Sequence, residues 1–204
     1  MTALATLAQT LELDIQAQNL LFREARTASR FLSDPVSDEQ LEAIYDLVKY
    51  APTSMNTQPL RMVVLRSEQA RSRLLAHMAE GNKAKTAAAP LTVILAGDVE
   101  FHEELPRVFP HAPGAKAIFA DDELREKTAR FNAALQVGYF ILGVRAAGLA
   151  AGPMTGFDAD AVNQEFFADG EHRALAVVNL GTPAADAWLD RLPRLDYDDV
   201  VTTI

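Results

Sequence analysis

The 204-residue chain contains no cysteine. That absence excludes disulfides, thiolate nucleophiles and any zinc or iron–sulfur centre held by thiolates. Positive charge is also scarce: 19 Lys and Arg stand against 28 Asp and Glu, a net charge of -9. Such a balance opposes attraction to phosphate backbones and anionic membranes, so neither nucleic acid nor membrane is an expected partner. No apolar run reaches the ~20 residues that span a bilayer. The amino-terminal stretch "MTALATLAQTLELDIQAQNLLFREA" lacks a basic start and carries Glu12 and Asp14, so it does not read as a secretory signal. The expected location is the cytoplasm.

Several chemistries are missing by motif. The four histidines, His77, His102, His111 and His172, are scattered, and "HEELP" puts Pro106 where a zinc-protease helix needs its second His. Metal catalysis is therefore not expected. "GPMTGF" has no nucleophile between its glycines, which removes the serine-hydrolase elbow. Neither a P-loop nor a Gly-x-Gly-x-x-Gly follows any expected strand.

What is present is a chain 49% hydrophobic with no break in composition, read as one domain over residues 1–204. Helical periodicity covers roughly the first twenty residues and again "SDEQLEAIYDLVKY", where Ser37 and Gln40 have the spacing of a capping box. Strands are expected near 60–66, in the continuously apolar "APLTVILAGD", and in "HRALAVVNLGT", with a short helix after Ser67. The proline-broken stretch 101–120 reads as a loop or broken helix, a candidate lid. "DDELREKTARFNAALQVGYFILGVRAAGLAAG" opens acidic, closes on glycines and is apolar nearly all round from Phe131, as a central helix would be. "GPMTGFD" reads as a turn, "DADAVNQEFFADG" as a short helix, and the terminus as an extended β-branched tail. The order α, α, β, α, β, α, α, β, tail gives the α+β class.

The most unusual stretch is "APTSMNTQPL". A helix-to-strand link needs little beyond a stop signal, yet Thr53, Ser54, Asn56, Thr57 and Gln58 crowd between Pro52 and Pro59. Three cationic clusters also sit in expected loops. "RTASR" spaces Arg26 and Arg30 by about one helical turn with hydroxyls between, enough to hold a phosphate by charge-assisted hydrogen bonds. "GNKAK" offers Asn82 and Lys85, and "RLPR" offers Arg191 and Arg194. Taken singly, each reads as readily as a solvated surface.

In combination, "RTASR", "APTSMNTQP", "GNKAK" before a strand, "GLAAGPMTGFD" after a buried helix and "RLPR" near the terminus resemble the nitroreductase family of FMN flavoproteins. "PVSDEQL", "LPRVFPH" and "GPMTGFD" further resemble its RutE-like branch, the malonic semialdehyde reductases of pyrimidine breakdown. The resemblance implies a central, mostly antiparallel sheet flanked by helices, with a carboxy-terminal tail reaching a partner subunit. It implies a homodimer with flavin sites at the subunit interface, FMN as cofactor and NADPH or NADH as hydride donor. Arg26, Thr27, Ala28 and Arg30 match the segment that holds the phosphate and flavin edge, with Ala28 where many members have Ser. Pro52, Thr53, Ser54 and Asn56 match the wall that one subunit lends to its partner's flavin. Asn82 and Lys85 match residues near the pyrimidine edge. Pro153, Met154, Thr155 and Gly156 match the turn whose backbone approaches N5 and O4, and Arg191 and Arg194 the carboxy-terminal phosphate pair, at altered spacing.

The implied reaction is ping-pong: hydride passes from the nicotinamide to flavin N5 and then to malonic semialdehyde, giving 3-hydroxypropanoate. No side chain is assigned as a catalytic acid. Two other readings stay open, a broad nitro- or quinone reductase and a flavin-binding or storage protein without turnover. Arg107, His111 and Lys116 on the candidate lid bear on the choice of acceptor.

Overall fold

The computed structural model describes residues 9–204. One antiparallel sheet runs through it: β1 (Leu60–Leu65), β2 (Leu91–Asp98), β3 (Ala150–Met154) and β4 (His172–Gly181), in the order β1-β2-β4-β3. The central strand β2 is buried along its whole length, which accounts for its largely apolar sequence. Alternate residues serve opposite faces. Val93 and Leu95 join Phe140, Val144 and Leu180 in one core, while Ile94 and Ala96 join Leu74, Val162 and Val177 in the other.

Strand β3 is the element that the sequence reading lacked, having divided "AAGPM" between the end of the long helix and a turn. It is an edge strand, so Pro153, opposite Val178, costs no essential ladder hydrogen bond. A proline and three small residues hide its strand character from periodicity.

Several helices begin where a side chain caps them. In α1 (Ile15–Gln18) the Asp14 carboxylate accepts from the Ala17 N–H, and a π-helical turn, Asn19–Arg23, follows. Of the expected amino-terminal helix, residues 9–14 are turn, bend and cap rather than helix, and residues 1–8 lie outside the described residues. α2 (Asp38–Val48) carries the expected Ser37–Gln40 capping box. Between β1 and β2 the chain forms two helices rather than one, α3 (Glu68–His77) and α4 (Glu80–Ala87). They part at Met78, which bridges to Phe157.

The 101–119 stretch is a broken helix, as expected: a 3-10 turn (Phe101–Glu104), α5 (Leu105–Val108) and α6 (Ala115–Ile118). Its inner side, with Phe101, Leu105 and Phe119, makes a small core of its own. The long helix α7 (Asp122–Ala146) packs on α2 at Gly143, where any Cβ would collide with Val48. Its burial is one-sided, correcting the all-round expectation: Phe131, Leu135 and Tyr139 are 66%, 41% and 42% exposed. α8 (Ala159–Phe166) follows β3. The tail is not extended throughout, because Asp196 and Asp199 cap a single turn, α9 (Tyr197–Val200), and the residues around it are exposed. No helix among the described residues is long and apolar enough to cross a membrane.

Candidate functional site

"RTASR" is extended rather than helical, which corrects the spacing argument made for it. It lies between β3 and the segment after β4. The Ala28 N–H reaches the Ala151 carbonyl at 3.0 Å, and on the other side the Ser29 N–H and hydroxyl both donate to the Ala187 carbonyl at 3.0 Å. The approach to β3 is tight enough to demand a glycine: a Cβ at Gly152 would stand 2.6 Å from the Ala28 carbonyl oxygen. Two arginines lace the outer end. Arg26 donates to the Leu189 carbonyl and lies 5.6 Å from the centre of the Trp188 ring, while Arg191 donates to the Ala25 carbonyl at 3.1 Å.

Arg30 forms an ion pair with Asp186 and lines a cleft of about 470 Å³ whose opposite wall is α4 with Lys85. Residues 55 positions apart in sequence are thereby brought together. Lys85 has no acidic partner among the described residues, so its charge is available to a ligand. One turn earlier on α4, the Asn82 amide donates to the Gly156 carbonyl at 2.9 Å, and the same carbonyl accepts from the Ala79 N–H at 2.9 Å. These bonds hold the Thr155–Gly156 turn against α4. The N–H groups of that turn donate to no protein acceptor among the described residues.

A buried relay that the sequence reading missed sets the position of α4. The Thr92 hydroxyl donates to Asn179 Oδ1 at 2.9 Å, Asn179 Nδ2 to the Thr86 hydroxyl at 3.2 Å, and Thr86 to the Met154 sulfur at 3.8 Å. Its signal was legible, since Thr92 and Asn179 interrupt two otherwise apolar strands. Met154 itself is buried in a core, Thr27 is exposed, and Ala28 takes part through its backbone. Among the described residues Arg194 donates only to the carbonyls of Leu192 and Pro193, so of the two carboxy-terminal arginines it is Arg191 that reaches the Arg26 segment.

The polar segment 52–58 lies elsewhere. Met55, Asn56 and Gln58 have φ of 51°, 53° and 44°, left-handed conformations that cost a non-glycine residue about 1–2 kcal/mol each. The conformation is held by Asn132 and Gln136, buried one turn apart on α7. Asn132 Oδ1 accepts from the Ser54 N–H at 2.8 Å, and Gln136 Oε1 from the Leu60 N–H at 2.9 Å. Asn56 adds a bond to the Val108 carbonyl at 2.8 Å. The sequence reading missed this clamp too, although an amide pair at i, i+4 inside an apolar helix is a visible signal.

Sheet topology separates this wall from the Arg30–Lys85 cleft. β1 starts opposite Gly97, at the end of the sheet where β4 begins, whereas Phe31 pairs with Pro183 beyond the end of β4. The ten residues of β4 span roughly 30 Å, and β1 and β3 are opposite edges. Within one chain the two clusters do not share a ligand.

On the 101–119 segment the cations are matched by acids: Arg107 with Glu104 at 2.7 Å and Lys116 with Glu103 at 2.5 Å. The Lys116 hydrogen bond holds the Glu103 carboxyl below its ordinary pKa. The Arg30–Lys85 cleft offers cations, and the Thr155–Gly156 turn held on the same helix offers free backbone donors, the equipment for holding an anionic, flat ligand.

Known proteins are similar to this chain in sequence and in fold. Residues 22–182 match the family described as "Nitroreductase family". A Streptomyces coelicolor protein provisionally named NADH dehydrogenase/NAD(P)H nitroreductase is 62% identical over 196 residues, covering 96% of this chain and 100% of that one. A provisionally identified Bacillus subtilis nitroreductase has the same fold, with a TM-score of 0.82 at 22% identity over 90% of this chain and 97% of the other. So does one from Exiguobacterium sibiricum solved in complex with FMN, with a TM-score of 0.80 at 19% identity over 92% and 96%.

Proposed function

The chain belongs to the nitroreductase family, and from that premise we propose that it is an FMN-dependent oxidoreductase that takes hydride from NADH or NADPH and delivers it to malonic semialdehyde. The observation that carries the cofactor assignment is the meeting of Arg30 and Lys85 across one cleft, with the Thr155–Gly156 turn tied through Asn82 to the same helix, α4, that carries Lys85. The residues present fit FMN. Arg26, Arg30 and Arg191 supply donors for a single phosphate, Thr155 and Gly156 supply free N–H groups for the polar edge of a flat ring, and Gly152 and Gly156 keep the backbone close.

FMN, when bound, supplies a two-electron carrier able to accept hydride from a nicotinamide and donate it to an acceptor. The protein's own part is position and electrostatics. Lys85 sets an unpaired positive charge beside the place where negative charge gathers on the ring. The wall at Pro52–Asn56, distant from its own chain's cleft, serves the cleft of a partner copy. The exposed stripe Phe131, Leu135 and Tyr139 supports that homodimer, since large apolar faces on a small domain mark interfaces. Polar Arg107 and Lys116 on the 101–119 segment favour a small carboxylate-bearing acceptor over a bulky aromatic one.

The test begins with denaturing the purified protein and identifying the released flavin. FAD, or none after incubation with FMN, would refute the cofactor assignment. Anaerobic reoxidation of the NADPH-treated enzyme is then followed with malonic semialdehyde, a nitroaromatic and a quinone. Fastest turnover with either of the last two makes the protein a broad reductase. Tight FMN without NAD(P)H oxidation makes it a flavin-binding protein.

A further inference from the structure

Beside the 52–58 wall lies a second cleft, of about 490 Å³, that the roles above leave unassigned. We propose that it is the seat for the acceptor's carboxylate, an inference that rests on the dimeric reading just given. Its buried lining is made of hydrogen-bonding groups with capacity to spare. Gln136 is 7% exposed, and because its Oε1 is committed to the Leu60 N–H, the amide NH2 is the half left over. No protein acceptor takes it among the described residues. Thr57 is 1% exposed, and its hydroxyl has no partner. Buried polar groups are nearly always satisfied, so two spare ones lining one cleft call for a ligand that brings acceptors.

The rim adds charge. Lys49, Arg61 and Arg107 line the cleft against a single carboxylate, Glu104. Arg61 is fixed by Asp98 at 2.5 Å and by the carbonyls of Gln58 and Leu60 at 3.0 and 3.1 Å, so it is a pre-set feature of the wall. Arg107 and Lys49 are different. Among the described residues the one acid paired with each lies a turn away on the surface, Glu104 and Asp46, and exposed pairs of that kind exchange readily for another anion. Spare donors within and exchangeable cations at the mouth describe a site for a carboxylate. The volume suits a small molecule. Thr57 and Gln58 continue directly from Asn56, so a carboxylate held here leaves the other end of a short acceptor beside the ring that the wall covers.

The experiment is calorimetric titration of the dimeric holoenzyme with malonate, an unreactive stand-in for the acceptor, with adenosine 2′-phosphate and malonamide as companions. Wild type binds malonate and not malonamide. Arg107→Gln, an exposed change that leaves the fold intact, weakens malonate about tenfold, as expected for one charge-assisted hydrogen bond. Gln136→Glu keeps an acceptor for Leu60 but replaces the spare donors with negative charge, and abolishes malonate binding while flavin content is retained. Unchanged malonate affinity in both variants overturns the assignment even if the enzyme still oxidises NADPH. Selective loss of adenosine 2′-phosphate binding instead assigns the cleft to the hydride donor and equally overturns it. If flavin is absent altogether, the functional reading fails by its own test, and the malonate titration still decides the seat.

Discussion

Asn82 and Gly156 form a lock: the Asn82 amide donates to the Gly156 carbonyl at 2.9 Å, and a Cβ at residue 156 would stand 2.6 Å from that same amide nitrogen. The obstacle is the end of a side chain, which can turn aside. At Gly152 the obstacle is the backbone carbonyl of Ala28, also at 2.6 Å, which cannot move without disturbing the extended segment. Gly156→Ala is therefore expected to cost about 1 kcal/mol of stability and Gly152→Ala about 3 kcal/mol. Urea denaturation of both variants checks the order, and equal losses would contradict the close packing of Ala28 on β3. Gly156→Ala should also release flavin more readily, because it displaces Asn82.

Lys85 is the free cation of the Arg30 cleft. Lys85→Ala should bind oxidised FMN only modestly less well, yet lower its two-electron potential. One hydrogen-bonded ion contact contributes roughly 1.5–3 kcal/mol, which corresponds to a fall of about 30–60 mV. Spectroelectrochemical titration measures it. Equal midpoints would return Lys85 to the solvent.

The clamp from α7 predicts a local effect. Asn132→Leu leaves the Ser54 N–H without its acceptor and should destabilise the protein by about 1–3 kcal/mol. Hydrogen exchange at residues 53–58 should quicken more than elsewhere, because three left-handed residues relax once one tether is cut. Asn132→Asp, which keeps the acceptor oxygen, should preserve slow exchange at Ser54. Uniform acceleration in both variants would mean that the segment holds its shape unaided.

Glu126 joins α7 to β4 by accepting from Arg130 at 2.8 Å and from Arg173 at 3.1 Å. The Arg130 hydrogen bond is the largest influence and lowers its pKa; burial opposes it, and the charges of Arg173 and Arg130 lower it further. A depressed carboxylate contributes stability that is complete above its unfolded pKa and is lost as pH falls through the folded one. Glu126→Gln should thus cost about 0.5 kcal/mol at neutral pH, the scale of an exposed pair, and nothing in strong acid. Denaturation curves at several pH values test this. A pH-independent difference would point to packing rather than charge.

Much of the fold was legible because its signals are local. Ser37 with Gln40, the acidic opening at Asp121 and the apolar run in β2 each announce an element within a few residues. β3 was not legible, since Ala, Gly and Pro carry little strand preference and its pairing with β4 depends on residues more than twenty positions away. The site was legible as a set of segments but not as a geometry. Nothing in "RTASR" discloses that it is extended, because the bonds that make it so come from Ala151 and Ala187. Asn132, Gln136, Thr92 and Asn179 were overlooked for a related reason: a polar residue in an apolar stretch shows that it has a partner but not which one.

The distance between the 52–58 wall and the Arg30–Lys85 cleft has a genetic consequence under the proposed assembly. If each active centre takes its cleft from one gene product and its wall from the other, two defective alleles can rescue each other. A copy damaged at Arg30 and Lys85 and a copy damaged at Ser54 and Asn56 are each inactive as homodimers. In a mixed dimer one centre inherits both lesions and the other neither. Co-expression of two silent alleles should therefore restore activity, whereas two lesions on the same side of the divide should never complement.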